Sequence, residues 1–365
     1  MKKVIIDKKD LENNIKIIKT MKNKKTKIIG VVKANGMGLD LVKYSKFLTY
    51  KGIDILAVAD PEDAFYLRKK NVTCQIILLT PVNDEKILER LINNNIVMTI
   101  GSLENLEKIK EILLKNVSKT AKVHIKIDTG FGRYGFLYKN YEEIIEVFKQ
   151  DNMPITVEGI YTHFSKAIDK NQTKLQFSRF MDIVNKLEND GIKIPLKHCA
   201  NSTAFIKYPE MHLDAVRLGS IIQGRTLINV GGLKKIGVFE STIPEIKKLS
   251  KGSKVGYSNI YKLKKDSIIA TIPVGHADGF ETKNKRDNFT FKESIKSILI
   301  EIKNMLKKPY AEVIIEGKKY PVIGRIGLNY ALIDITNNSQ ITTKDKVILD
   351  TSPLNINSRI RREYI

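Results

Sequence analysis

The chain has no tryptophan, only two cysteines, and only 11 arginines among its 63 basic residues. Each scarcity removes a class of protein. Cys74 and Cys199 offer neither a disulfide framework nor the paired spacing of a metal site, so no metal is expected. No apolar run approaches the ~18 residues that a membrane span needs, and no membrane partner is expected. Residues 1–7 are basic and turn at once into a charged amphipathic stretch. They lack the ~7–15-residue apolar core of a secretory signal, so the expected compartment is cytoplasmic. The scarce arginine and missing tryptophan also bear on the net charge of +23. Readers of nucleic acid use arginine forks, aromatic platforms and clustered patches. Here the lysines are spread along the chain on polar faces. The charge reads as solvated surface able to concentrate an anionic ligand, and no nucleic-acid partner is expected.

What is present is ample for two folded domains: 365 residues, 42% hydrophobic and 28% charged, a balance that excludes a disordered chain. Short apolar runs recur at 28–32, 53–58, 75–79, 96–100, 123–127, 155–161, 194–199 and 215–218. Most of the gaps between them carry apolar residues at i, i+3 and i+4, as in Ile87, Leu88 and Leu91, or Ile144, Ile145 and Phe148. Asp60-Pro61 reads as an N-cap followed by proline at the first helical position. Eight strand–helix units predict a closed parallel (β/α)8 TIM-type barrel rather than an open doubly wound sheet. After Gly224 the pattern changes, and Gly231-Gly232 reads as a linker. Beyond it the alternation predicts strands at 254–263, 267–274, 311–315, 320–323 and 331–335, a hairpin turn at 316–319 and one helix near 291–306. The expected fold class is therefore α/β: a barrel over residues 8–232, then a mostly β domain over 233–365, with residues 1–7 as a candidate extra strand of the latter.

Active sites of such barrels lie at the C-terminal ends of the strands. There the chain carries Lys33 after the first strand, Asp128–Arg133 after the fifth, Thr162-His163 after the sixth, His198–Ser202 at the seventh and Arg217–Ser220 at the eighth. Singly, each has an ordinary reading. Lys33 suits a surface loop, His163 a satisfied barrel-mouth histidine, Asn201-Ser202 a helix N-cap, and Arg217 an ion pair with Asp214. Together they form another pattern. A lysine that ends an apolar strand faces the mouth, where a partly desolvated amine is a nucleophile. An amine, an imidazole, an arginine and a helix N-terminus suited to phosphate point to an aldehyde cofactor that carries a phosphate, pyridoxal 5'-phosphate.

The chain resembles the alanine racemase family, the fold-type III pyridoxal-phosphate enzymes, nearly end to end. The likeness rests on Val31-Val32-Lys33-Ala34-Asn35, the run from Lys126 to Phe136, Gly159 to Phe164, His198 to Ser202, Val216 to Gly219, Val255-Gly256-Tyr257-Ser258, Ile272 to Gly279, and Val322 to Ile326. The resemblance implies that Lys33 bonds the cofactor and serves as base on one face of the substrate Cα. It implies that Tyr257, supplied by the β domain of a partner subunit, serves the opposite face. His163 would flank the pyridine ring and Arg217 meet its nitrogen. Arg133 would meet the substrate carboxylate, and Asn201, Ser202, Gly219 and Ser220 would lie where the phosphate is held. Lys126 matches a lysine that is carbamylated in many members and orients Arg133. Racemisation needs a base on each face, because a single base returns the proton where it came from. A phenol, with an ordinary pKa of ~10, suits the reprotonating acid. An arginine at the pyridine nitrogen hardly gives up its proton. Decarboxylases of the same fold type place a carboxylate there.

The chain also departs from the family pattern. Met37 stands four residues after the lysine, and Ser358 in the C-terminal segment, each where a phosphate-binding tyrosine is usual. Gly327, Leu328 and Asn329 replace a Cys-Met-Asp block next to the substrate, His276 replaces an entry tyrosine, and residues 288–308 look inserted. The expected function is interconversion of L- and D-alanine by a homodimer with shared active sites and a small amino-acid substrate. The Asn329 change is expected to broaden specificity, with serine the first addition. The alternatives are a racemase of serine or of a larger amino acid such as ornithine or lysine, and a non-catalytic pyridoxal-phosphate-binding protein.

Overall fold

Each of the eight expected apolar runs is a strand in the computed structural model, which describes residues 2–115, 118–149, 154–282, 290–306 and 311–365. In chain order, β1 (Lys3–Ile6) is followed by β2 (Lys27–Val31), β3 (Ile55–Val58), β4 (Gln75–Leu78), β5 (Met98–Ile100), β6 (Ala121–Asp128), β7 (Phe136–Leu137), β8 (Ile155–Tyr161), β9 (Lys197–His198) and β10 (Ala215–Leu218). Eight of these pair side by side in the order β4-β3-β2-β10-β9-β8-β6-β5, all parallel, with β7 appended to β6. A parallel bridge between Ile77 and Val97 closes the ring, with Leu78 N donating to Val97 O at 2.8 Å and Val97 N to Ile76 O at 2.9 Å. The expected barrel is therefore present.

Strands covered on both faces need unbroken apolar sequence, and β3 and β10 are buried at every position. Ile29, Ile55, Ala57, Ile77, Val97, Leu196 and Ala215 pack together as one core. The surrounding helices start where their caps allow. Asp60 accepts from Glu62 N at 2.9 Å with Pro61 at the first turn, and Asp84 accepts from Ile87 N at 2.9 Å, opening the helix Glu85–Asn93 that buries Leu88, Leu91 and Ile92. This barrel is one compact unit, Lys9–Ile236. The other unit joins the residues up to Lys8 with Gly237–Ile365.

The second unit holds β11 (Val238–Thr242), β12 (Glu245–Leu249), β13 (Lys254–Val255), β14 (Tyr261–Lys262), β15 (Ser267–Ile272), β16 (Glu312–Ile315), β17 (Lys318–Ile323), β18 (Ala331–Asp334), β19 (Lys346–Leu349) and β20 (Arg362–Tyr364). Its sheet runs β12-β15-β18-β17-β16-β19-β11-β1-β20. Strand β1 lies antiparallel to β11 and parallel to β20. The hairpin β16–β17 turns through Glu316 and Gly317 with φ of 48° and 76°, the doubly positive pair that matches strand twist.

Two expectations need correcting. The run 254–263 is not one strand, because a turn at Tyr257–Asn259 with Ser258 and Asn259 at φ 60° and 53° separates β13 from β14. Strands β11, β12, β19 and β20 were not foreseen: β12 reads Glu-Ile-Lys-Lys-Leu and β20 is three residues long, so neither carries an apolar signal. A helix does span Phe291–Leu306, with Phe291, Ile295, Ile298, Leu299 and Ile302 exposed along it. The ends of the presumed insertion, 288–289 and 307–308, lie outside the described residues. Among the described residues no helix is long and apolar enough to cross a membrane, and no group of three His, Cys, Asp or Glu side chains could hold a metal ion.

Candidate active site

Strand β2 delivers Lys33 to the barrel mouth through an unusual turn. Ala34, Asn35, Gly36 and Met37 all have left-handed backbone, with φ of 53°, 54°, 65° and 55°. For a non-glycine residue this costs roughly 1–2 kcal/mol, so neighbours must over-determine it. They do. Asn35 Oδ1 accepts from Leu41 N at 3.1 Å, and Gln223 Nε2 donates to Met37 O at 2.7 Å. Gly36 cannot carry a side chain, because a Cβ would meet the Leu41 backbone at 3.0 Å. Lys33 itself is solvent-exposed, so the desolvation expected for it is not supplied by this chain's barrel.

Arg217, on β10, is the hub of the mouth and only 3% exposed. Its Nη1 meets His198 Nδ1 at 2.7 Å and His198 O at 3.0 Å. Its Nη2 donates to Thr162 O at 2.6 Å and Cys199 O at 3.1 Å and approaches His163 Nδ1 at 3.3 Å. None of these five contacts, made among the described residues, uses Nε. The ordinary reading of Arg217, an ion pair with Asp214, is not seen among the described residues, where Asp214 accepts from Lys197 N at 2.8 Å. Because Arg217 is a donor only, His198 Nδ1 must accept. His198 Nε2 then carries the proton and donates to His124 Nδ1 at 3.0 Å, and His124 Nε2 ends the chain buried with no partner among the described residues. Burial and the Arg217 charge hold both His198 and His163 well below the ordinary histidine pKa, and hold His124 at about 3. Arg133, Lys126 and Lys33 add to the effect on His163. All three imidazoles are therefore neutral near pH 7. His198 stacks on Tyr161 at 4.9 Å, and Tyr161, pushed up to about 12 by burial, keeps its proton.

Lys126, on β6, is 4% exposed and sits over the rings of Tyr134 and Tyr161 at 5.1 and 5.7 Å. Burial first, then the charges of Arg133 and Arg217, lower its pKa to about 8, against a smaller opposing pull from Asp128. Asp128 ties down the next loop, accepting from Gly130 N and Phe131 N at 2.8 Å and from Gly132 N at 2.9 Å. Arg133 is exposed and stacked on Phe131 at 4.3 Å, and Phe131 meets His163 edge-on at 5.8 Å.

The residues expected to hold phosphate converge. Ser202 Oγ accepts from Gly219 N at 3.2 Å and Ile221 N at 3.4 Å, so two backbone donors aim at one point. A Cβ on Gly219 would reach Met37 Cε at 3.2 Å, which puts the buried Met37 at this cradle in place of a phenol. Ser220 is half-buried beside it. Asn201 Oδ1 caps a helix by accepting from Thr203 N and Ala204 N at 3.1 and 3.0 Å, which leaves its amide Nδ2 as the group that can donate. A flat group with a phosphate, a ring nitrogen and an aldehyde fits this donor set: the Gly219 cradle, Arg217 Nε and the Lys33 amine.

In the β unit, Tyr257 is 55% exposed, and its ring lies 5.6 Å from that of Tyr330. Gly275 closes on the turn at 327–328, where His276 N donates to Gly327 O at 3.0 Å and Ala277 N to Leu328 O at 2.9 Å. His276, Leu328 and Asn329 are thus neighbours, and all three are exposed. Sequence reasoning missed Tyr330, His124 and Tyr161. Tyr330 carries no local signal, whereas His124 and Tyr161 could have been found as inward-facing polar positions of β6 and β8.

Family models of the alanine racemase N-terminal domain and C-terminal domain match residues 6–226 and 237–360. An alanine racemase of Methanococcus maripaludis is 36% identical over 354 residues, covering 94% of this chain and 87% of that one. One from Clostridium tetani is 35% identical, covering 93% and 84%. The solved alanine racemase of Clostridium difficile 630 superposes with a TM-score of 0.86 at 30% identity, covering 100% of this chain and 95% of that one. The matched spans take in both the barrel and the β unit, and the chain belongs to the alanine racemase family.

Proposed function

We propose that the protein interconverts L- and D-alanine, with pyridoxal phosphate held at the barrel mouth of a homodimer. The observation that carries this reading is Arg217: a buried guanidinium with two neutral histidines on it, between the Gly219 cradle and the strand that ends in Lys33.

When bound, pyridoxal phosphate supplies an electron sink that acidifies the substrate Cα–H. This chain's residues do the rest. Ser202 Oγ, with Gly219 N and Ile221 N turned from it to the ligand, would hold the phosphate, and Met37 would contribute only packing. Arg217 would meet the ring nitrogen as a donor that keeps its own proton, which would moderate the sink. Lys33 Nζ would be the group that anchors the cofactor and, as a free amine, would move a proton on one face. Tyr257 Oη, from a second copy, moves one on the other. The neutral fraction of Lys126 adds carbon dioxide, forming an N–C bond and releasing a proton. The resulting carbamate anion pairs with Arg133, which then meets the substrate carboxylate.

The curated relatives carry the name alanine racemase, which disfavours serine, ornithine or lysine as the main substrate and with them the broadened specificity. The matched C-terminal domain disfavours a non-catalytic barrel. The test is conversion of L-alanine to D-alanine by the pyridoxal-phosphate-loaded protein, read by chiral chromatography, followed by borohydride reduction and peptide mapping. Conversion with the cofactor trapped on Lys33 is expected. No conversion, or trapping on another lysine with Lys33 free, overturns the assignment.

A further inference from the structure

Tyr330 is the neighbour of Tyr257 to which no motif pointed. The turn that carries it closes on itself, with Gly327 N donating to Tyr330 O at 2.9 Å. A Cβ on Gly327 would fall 2.7 Å from Tyr330 Cε1 and 3.0 Å from Cδ1, so a side chain at 327 and this placement of the ring exclude each other. Gly327 stands where the family resemblance expects cysteine. The space that change vacates is filled by the Tyr330 ring, which lies against Tyr257 at 5.6 Å and 39°. Tyr330 is the better anchored of the two, half-buried where Tyr257 is exposed. Burial, then the nearness of the Tyr257 phenol, push the Tyr330 phenol up.

Resting on the racemase reading, we propose that Tyr330 is a positioning residue for Tyr257: its hydroxyl donates to Tyr257 Oη, and its ring fixes the rotamer of an otherwise solvent-exposed side chain. Gly327 and Tyr330 then act as a matched pair. An exposed tyrosine samples several rotamers, and only one aims its oxygen at a substrate. Aromatic contact and a hydrogen bond select that one. The oxygen that must accept a proton and give it back is thereby held by a donor that does not itself titrate in the working range.

The test uses the pyridoxal-phosphate-loaded protein and alanine deuterated at Cα, each enantiomer assayed separately. Y330F should lower kcat about three- to tenfold with KM within about twofold. It should raise the primary isotope effect for one enantiomer only, the one whose proton goes to Tyr257, because only that step loses its positioned oxygen. G327A, which pushes the ring away, should show the same one-sided change, and G327A/Y330F should add little to either single loss. Unchanged isotope effects in Y330F, or equal changes for both enantiomers, overturn the inference. Y330F removes a single oxygen and carries the test if G327A does not fold. A wild type that racemises no alanine overturns the racemase reading and this inference with it. An active wild type with an indifferent Y330F overturns this inference alone.

Discussion

The barrel mouth and the β-unit cluster hold their functional groups in opposite ways. In the barrel, Arg217 is buried and fixed by five contacts, Lys126 is buried between rings, and the imidazoles lock one another's tautomers. In the β unit, Tyr257 is 55% and Leu328 68% exposed, and His276 faces solvent. The difference separates residues on which the fold depends from residues that only the reaction needs. At Arg217, Lys126 and the imidazoles function and stability draw on the same side chains, whereas Lys33 is exposed and is needed by the reaction alone. In the β unit function and stability are decoupled, as the proposed sharing of a site between two copies would require.

That contrast can be broken in several ways. The largest effect should come from Lys33→Ala, which removes the covalent anchor and one base together. A fall in kcat of at least ~10³ is expected, with unfolding by urea nearly unchanged because Lys33 is exposed. Next come Arg217→Met and Tyr257→Phe as a pair. Losing the guanidinium leaves buried carbonyls of Thr162, His198 and Cys199 unpaired, and should cost about 3–5 kcal/mol in urea unfolding. Losing the Tyr257 hydroxyl should cost under ~0.5 kcal/mol yet lower kcat by roughly 10²–10⁴. Equal stability losses in the two variants would erase the distinction.

Mixing inactive Lys33→Ala and Tyr257→Phe proteins sharpens it further. Random exchange between two-fold dimers leaves one intact site in half of them, so activity should return to roughly a quarter of wild type. No recovery after demonstrated exchange would place Tyr257 at its own barrel.

A smaller effect concerns Lys126. Its pKa is depressed from 10.5 to about 8 in the folded protein, so between those values the unfolded chain binds the extra proton. The resulting destabilisation is fully present below pH 8 and is relieved as pH rises from about 8 to 10.5. Carbamylation removes the ammonium altogether. Bicarbonate at pH 8 should therefore raise both Tm and activity in the wild type, and do neither in Lys126→Met. The smallest effect is expected from Asn329→Asp, with alanine kcat/KM changing by less than about tenfold, under ~1.4 kcal/mol, since Asn329 is exposed.

Much of the mouth was legible because barrel geometry turns strand ends into an address. Lys33, His163 and Arg217 each follow or end an apolar run, and periodicity finds such runs. What escaped depends on contacts between distant segments. His124 sits among alternating residues of β6 and gains meaning only from His198, 74 positions away. The left-handed turn after Lys33 contains one glycine, so its handedness comes from Gln223 and Asn35 rather than from local preference. Tyr257 was named by resemblance, whereas its turn geometry was read as plain strand, since Ser258 and Asn259 carry positive φ that their identities only weakly advertise.

Strand β1 has a consequence for how the molecule is made. Lys3–Ile6 leaves the ribosome long before either neighbour, Val238–Thr242 or Arg362–Tyr364, has been synthesised. Its slot in the sheet does not exist until translation has passed the whole barrel, and Ile365 N and O then close on Ile6 O and Lys8 N at 3.0 and 3.1 Å. The barrel can mature on the nascent chain, while its leading segment stays an unpaired edge that invites aggregation or chaperone capture. The β unit is stitched from both ends of the described chain, so it cannot be excised as one contiguous piece. A gene fragment beginning at Gly237 would encode a sheet lacking the strand between β11 and β20.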